Sequence, residues 1–375
     1  MISQQDTLSP QWIDKVSKSN RNADKILVEK VIRALLLLEG LSKVKLSFVF
    51  KGGTALMLLL KSAKRLSIDI DIIVSKAPKN LEEMMQEAGK IQGFNKVELQ
   101  HRAASSAIEK AHYKFFYTPV HQTHPSDDYV LLDILFEAAN YSNISLHELQ
   151  SQFVNNEGKA TQIEMPSAED LLGDKLTAFA PNTIGIPYIR NGNSMSMEII
   201  KQLYDIGNLF DALQDLKAVK TTFGKIAKTE IAYRNLKGVS VAEVLEDTYQ
   251  TSLCISLRGL GGNGNFEELL RGIQRITGFI FSESYHLEKA ITHAAKAAYM
   301  AQLIATDQAT FEKYRDPKQI GEAAIEAPHN TRLQRFKKSN PEAFFYWQKA
   351  TQLVNIDISQ TKDAIKLAPK IGKKK

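Results

Sequence analysis

Two glycines and two aspartates are the residues of this chain whose types and spacing suggest a reaction. A short apolar run, Leu46 to Phe50, leads into Lys51-Gly52-Gly53-Thr54, and Ala55 to Lys61 then reads as a helix rich in Ala, Leu and Met. A glycine turn between a strand and a helix lets backbone amides approach a phosphate, and the helix N-terminus adds partial positive charge there. Further on, Ile68-Asp69-Ile70-Asp71-Ile72 alternates apolar and acidic residues. On a strand this alternation sends Asp69 and Asp71 to one face while Ile68, Ile70 and Ile72 face a core. Adjacent carboxylates repel each other unless a cation neutralises them. A phosphate cradle beside paired carboxylates is the equipment needed to hold a magnesium–nucleotide complex. The plainer alternative is a strand–turn–helix with two exposed aspartates on an edge strand.

Taken in order, Lys51-Gly52-Gly53-Thr54-Ala55-Leu56 and Arg65-x-Ser67-x-Asp69-Ile70-Asp71 resemble the DNA polymerase β-type nucleotidyltransferase superfamily. Within it, the fuller string resembles the AbiEii/AbiGii toxin family, over about residues 20 to 215. The resemblance implies nucleotide binding by Lys51, Gly52, Gly53, Thr54, Arg65 and Ser67. It also implies a third carboxylate on a later strand, and Asp133 in Tyr129-Val130-Leu131-Leu132-Asp133-Ile134-Leu135-Phe136 is the candidate. An ionised carboxylate inside such an apolar run would cost several kcal/mol without a partner, and a shared metal would remove that cost. Glu137, just past the strand, is the fallback ligand; an Asp bonded to backbone at a strand bend is the alternative.

Downstream, Pro166-Ser167-Ala168-Glu169-Asp170 has the composition of a helix start. The following Asp174-Lys175-Leu176-Thr177-Ala178 resembles the Asp-Lys-Leu-x-Ala element of AbiEii-type proteins. That resemblance sends Lys175 to the nucleotide triphosphate, with Thr177 on the same helix, the alternative being a solvated lysine. Lys201-Gln202-Leu203-Tyr204-Asp205-Ile206 resembles the family's Lys/Arg-Asp-x-x-Asp-Leu stretch, with Gln202 departing from it. By resemblance Asp205 turns back to the active site. By helical spacing alone, Lys201 and Asp205 could simply pair across one turn.

Composition sets wider bounds. With 375 residues, 43% hydrophobic and 24% charged, the chain has room for two domains of ordinary globular material. The single cysteine, Cys254, excludes an intramolecular disulfide and a cysteine-based zinc cluster, and suits a reducing cytoplasm. Its apolar surroundings make it a small core residue. The opening Met1 to Asp6 lacks the basic start and apolar core of a secretory leader. Ala34 to Leu38 is far too short to span a bilayer. A net charge of +6 does not by itself indicate a nucleic-acid partner.

Two basic clusters stand out: Arg332, Arg335, Lys337 and Lys338 ahead of Phe344, Phe345, Tyr346 and Trp347, and the tail Lys370, Lys373, Lys374 and Lys375. The first could track RNA and stack a base. The simpler reading is a solvated helix end followed by an aromatic core stripe, with a disordered tail. His286 and His293 are poorly spaced to share a metal.

The elements that must position these residues divide the chain. One short helix starts at Ser9-Pro10, and Val28, Val31, Ile32, Leu35 and Leu38 line a longer one from Asn22 to Leu41. Strands and helices mix from Leu46 to Val154, and after Pro166 the pattern is nearly all helical. Gly259 to Gly264 reads as a loop between helices. The expected fold class is α+β. A polymerase β-type nucleotidyltransferase domain with a mixed sheet (1–160) precedes a helical domain (161–375), the boundary falls at Asn155 to Lys159, and a cleft between the domains completes the site.

The resemblance implies a Mg2+-dependent nucleotidyltransferase with a two-metal site, Mn2+ being a possible substitute, in which Asp69, Asp71 and Asp133 hold metal and Lys175 and Asp205 assist. It implies the toxin of a bacterial type IV toxin–antitoxin or abortive-infection pair, cytoplasmic, with a cognate antitoxin. Its substrates would be an NTP and an RNA acceptor, the tRNA 3′ end first among them. Transfer to a protein or small molecule, and a non-catalytic nucleotide-sensing module, are the alternatives.

Overall fold

The computed structural model describes residues 1–60, 64–100, 109–121, 126–326 and 330–367. The basic tail from Lys370 to Lys375 and the expected helix end at Lys61 lie outside these residues. The chain gathers into two compact units. The first comprises Met1–Lys175, Ala212–Gly238 and Ile273–His286, and the second Leu176–Asp211, Val239–Gly272 and Leu287–Lys375. Asn155 to Lys159 fall within the first.

At the centre of the first unit lies a five-stranded mixed sheet, so the expected α+β class holds. Its strands are β1 (Val49–Lys51), β2 (Ile70–Val74), β3 (Lys96–Leu99), β4 (Lys110–Tyr117) and β5 (Asp128–Phe136), in the spatial order β1-β2-β5-β4-β3. The β2–β5 pair is parallel and the other pairs are antiparallel. A parallel pair needs a long crossover, and here that connection carries β3 and β4. Alternation is clean along β5, where Val130, Leu132 and Ile134 are buried while Leu131 and Asp133 face the other way, half-exposed. A separate two-stranded sheet pairs β6 (Ile144–Glu148) with β7 (Gln162–Pro166).

Helices α1 (Gln4–Thr7), α2 (Pro10–Ser19), α3 (Lys25–Lys43), α4 (Gly52–Leu59), α5 (Leu81–Ile91) and α6 (Ala168–Ala178) follow in chain order. Ser9 caps α2 and Asp24 caps α3, each accepting backbone N–H groups of the first turn. Three boundaries differ from expectation, the first two for identifiable reasons. The Asp24 cap starts α3 at Lys25 rather than Asn22. The glycine turn is itself the first turn of α4, which therefore begins at Gly52 rather than Ala55. The strand expected over Ile68 to Ile72 runs from Ile70 to Val74, so Asp69 stands just before it.

After α6 come α7 (Ser196–Ala212) and α8 (Leu216–Tyr233), the latter in the first unit. Helices α9 (Val241–Ser256), α10 (Phe266–Arg275), α11 (Leu287–Ala305), α12 (Asn330–Leu333), α13 (Phe336–Ser339) and α14 (Pro341–Leu367) complete the order. In the second unit the aromatic stripe is core: Phe344, Phe345, Tyr346 and Trp347 are each at most 2% exposed. The Trp347 indole N–H donates to Ser256 Oγ at 3.0 Å. None of the four offers a face for stacking a base. Arg332 and Lys337 of the neighbouring basic cluster donate to the carbonyls of Leu260 and Ala323. Cys254 is buried, as expected, and burial pushes its thiol up. No helix among the described residues is long and apolar enough to cross a membrane.

Candidate active site

Strand register assembles the site. Lys51 on β1 lies opposite Asp71 on β2, Asp71 lies opposite Asp133 on β5, and Asp133 lies opposite His112 on β4. Residues in register project from the same face. One row, Lys51–Asp71–Asp133–His112, therefore crosses four strands spaced about 4.8 Å apart, or roughly 14 Å in all. Hydrophobic alternation in each strand enforces the register, because a slip of one residue would turn the charged row into the core.

Charges of one sign meet in the middle of this row. The Asp71 carboxyl is pushed up to about 7 by burial first and by the negative charges of Asp133 and Asp69 next, against the pull of Lys51 and Lys175. That coupling brings together the three carboxylates expected from the sequence. Asp133 is held from the other side by His112, whose Nδ1 lies 2.5 Å from Asp133 Oδ1. As they stand, no three His, Cys, Asp or Glu side chains among the described residues are arranged to close on a metal ion. The chemistry still suits a hard cation, which takes carboxylate oxygens and relieves the repulsion that raises Asp71.

The glycine turn is shaped around these carboxylates. Gly52 has a φ of 81° and lies so close under Asp71 that a Cβ there would stand 2.0 Å from Asp71 Oδ2. Only glycine meets both demands. At Gly53 a Cβ would meet Arg65 Nη2 at 2.5 Å and Ser67 Oγ at 2.7 Å, so Arg65 and Ser67 close over this half of the turn. Arg65 is buried, and its Nη1 donates to its neighbour's carbonyl, that of Leu66. Thr54 is fully buried and its hydroxyl donates to the carbonyl of Asp69 at 2.6 Å. In this arrangement Thr54 ties α4 to the start of β2 and fixes the backbone at Asp69.

Lys51 has a partner that sequence reasoning missed. Its Nζ lies 2.8 Å from Asp174 Oδ2 and 5.7 Å from the ring centre of Tyr141, whose hydroxyl donates to the same Asp174 oxygen at 2.8 Å. Burial works against ionisation here, but the pair wins. Asp174 is held below the usual carboxylate range by Lys51, Tyr141 and Lys175, and Lys51 is raised by Asp174. The Tyr141 hydroxyl is raised by burial and by Asp174.

Asp170 holds this corner in place. Its carboxylate accepts the backbone N–H groups of Ser142 and Asn143 and the hydroxyls of Ser167 and Thr222. Ser167 in turn accepts the Asp170 N–H, the helix start expected from the sequence. Lys175 follows directly, buried, and it acts on both Asp71 and Asp174. Glu137, the fallback ligand, accepts a hydrogen bond from the Tyr233 hydroxyl at 3.1 Å.

Thr177 and Asp205 belong to the second unit, where both are buried. There Lys201 pairs with Glu198 at 2.9 Å. Asp205 lies near His293, whose imidazole is kept well below its ordinary range by burial and by Lys296 and Lys289, with Asp205 opposing.

Comparison with known proteins gives the family. The model of the family described as nucleotidyl transferase AbiEii toxin, type IV TA system, matches residues 36–269. Among solved structures, MenT4, a nucleotidyltransferase toxin from Mycobacterium tuberculosis H37Rv, aligns with 91% of this chain and 99% of its own at 12% identity, with a TM-score of 0.52. JHP933 from Helicobacter pylori aligns with 80% of this chain and 94% of its own at 16% identity, with a TM-score of 0.39. At such identities the likeness to MenT4 is one of fold. No curated protein matches in sequence.

Proposed function

The chain belongs to the AbiEii nucleotidyltransferase toxin family, which makes it a nucleotidyltransferase of a toxin system, and from that premise we propose that it moves nucleotides from an NTP to an RNA acceptor, the tRNA 3′ end, in a Mg2+-dependent reaction. The family implies a nucleotide substrate and a cognate antitoxin. The cytoplasm is the compartment where both substrates meet.

The observation that carries the metal-dependent part is the register that sets Asp71 beside Asp133, where burial and the charges of Asp133 and Asp69 raise the Asp71 carboxyl to about 7. Such an arrangement is unfavourable by itself and becomes favourable around a divalent cation. Asp69, Asp71 and Asp133 would hold one or two Mg2+ ions, with Mn2+ as a substitute. When bound, the metal neutralises charge on the triphosphate. The Gly52–Gly53 turn and the N-terminus of α4 receive phosphate oxygens. Lys51 and Lys175 supply positive charge on the flank, and Asp174 keeps Lys51 protonated and aimed. Arg65 and Ser67 bound the turn. An acceptor hydroxyl attacks the α-phosphorus and gives up its proton to water, a P–O bond forms, the bond to the β-phosphate breaks, and pyrophosphate leaves. Asp205 and Thr177 are assigned supporting roles on the family pattern alone.

Incubating the protein with each α-labelled NTP, Mg2+ and total cellular RNA tests the reading. Label should enter tRNA-sized RNA, require the divalent ion and vanish in Asp71→Asn. Label entering protein or a small molecule instead would replace the RNA acceptor, while transfer undiminished by chelation would end the metal proposal.

A further inference from the structure

Charge is unevenly spread along this chain. Between Ala212 and Gly238 six basic residues stand against two acidic ones, a surplus of four in a protein whose net charge is +6. Most of that segment is α8, an amphipathic helix. Leu216, Val219, Phe223 and Ala227 are buried on one side, while Lys217, Thr221, Lys225 and Lys228 are exposed on the other at three- and four-residue spacing. Lys237 is exposed just beyond the helix end. Lys217, Lys225, Lys228 and Lys237 make no ion pair with any described residue, whereas Arg234 is taken up by Glu230 at 3.2 Å.

The helix is fastened to the elements that carry the site. Near its start, the Gln214 N–H donates to Glu169 of α6 at 3.1 Å. In its first half, Thr222 donates to Asp170, the same carboxylate that holds the loop bearing Tyr141. Gly173, one residue before Asp174, lies against the α8 backbone: a Cβ there would meet Val219 O and Phe223 N, both at 2.9 Å. At the far end, Tyr233 donates to Glu137, immediately after the strand that carries Asp133. The Thr222 and Tyr233 anchors are about 16 Å apart along the helix, and Lys225 and Lys228 lie between them on the outward face.

We infer that the exposed lysine stripe of α8 is the surface that binds the phosphate backbone of the RNA acceptor and sets its position relative to the carboxylates. This inference rests on the RNA-acceptor reading above. A rigid row of unpaired ammonium groups is the chemistry that tracks a polyanion, because each phosphate it neutralises releases condensed counterions. Its attachments to α6 and to the end of β5 give it a fixed geometry relative to Asp133 and Lys175. A lysine row contacts phosphates rather than base edges, so it supplies affinity and placement, not sequence preference.

The test measures binding of bulk tRNA to the full chain by fluorescence anisotropy across a potassium series, for wild type and for Lys217→Gln/Lys225→Gln/Lys228→Gln. The variant should bind about tenfold more weakly at moderate salt, and its log–log salt slope should be shallower by roughly 2–3, the loss of three phosphate contacts. Calorimetric affinity for NTP and the urea midpoint should not change, since all three side chains are solvent-facing. A variant with the wild-type slope overturns the stripe while leaving the RNA reading intact. A wild type that binds no tRNA but labels a protein, with that labelling lost in the variant, makes the stripe a docking face for an acidic protein and overturns the RNA assignment.

Discussion

Each compact unit holds a cluster of charge, and the two clusters are built on opposite rules. In the first, Asp69, Asp71 and Asp133 set like charges side by side, and Asp71 is forced toward the protonated form. In the second, Lys296 is only 3% exposed and lies 2.8 Å from both Asp211 Oδ1 and Glu342 Oε1, with the Tyr346 ring 5.7 Å away. Its charge is answered on two sides, and both carboxylates reach solvent. Folding alone favours the second arrangement and resists the first. A chain keeps a cluster that resists folding when something it binds benefits, so the frustrated cluster marks function and the satisfied one marks structure.

The largest effect should come from relieving the frustration. Asp71→Asn should cut nucleotidyl transfer on the order of a thousandfold or more yet raise stability in metal-free buffer. The folded-state value of Asp71, about 7, lies above its ordinary 3.8. Its contribution to stability is therefore fully present below about pH 4 and is lost as pH rises through about 7. Urea midpoints at pH 4, 6 and 8 would show wild type losing stability against Asp71→Asn, by on the order of a few kcal/mol at the top of the range. Parallel pH curves for the two proteins would mean that Asp71 is not strained.

A second comparison is internal to the glycine turn. Gly52→Ala meets both a positive φ and the Asp71 carboxylate. It should cost about 1–2 kcal/mol from backbone strain alone, and it should lower transfer sharply by displacing Asp71. Gly53→Ala meets the ends of Arg65 and Ser67, which can shift, so it should stay under about 1 kcal/mol. Thermal unfolding checks both, and equal losses of stability at the two positions would undo the assignment of Gly52 to Asp71.

The smallest effect belongs to the satisfied cluster. Lys296→Met keeps the buried aliphatic length and leaves Asp211 and Glu342 to water, at 57% and 38% exposure. Stability should change by less than about 1 kcal/mol, with transfer unaltered. A loss of transfer in this variant would erase the contrast between the clusters.

The parts of the site that depend on local pattern were legible in the sequence. Alternation around Asp69 and Asp71, the apolar run holding Asp133 and the Ser167 helix start each follow from a few neighbouring residues. What was hidden depends on register or on closure over long stretches. His112 meets Asp133 only because two antiparallel strands align at that pair. Asp174 stood in plain view beside Lys175, but nothing local says that it faces Lys51. Phe344 to Trp347 read correctly as core because four consecutive aromatics have nowhere else to go. The lysines of α8 were missed because charge summed over each half averages out a stripe that exists only once the helix turns them to one side.

The route by which Lys51 gains its counter-ion has a consequence for the cell that makes this chain. Synthesis proceeds at about 5–20 residues per second, so a nascent chain displays the glycine turn for several seconds before Asp174 has been made. β2 must likewise wait for β5, and the first unit is complete only once Ile273–His286 has emerged. The assembled site is thereby withheld until His286 has been made, and a fragment released before that point carries the signature residues without the assembled site.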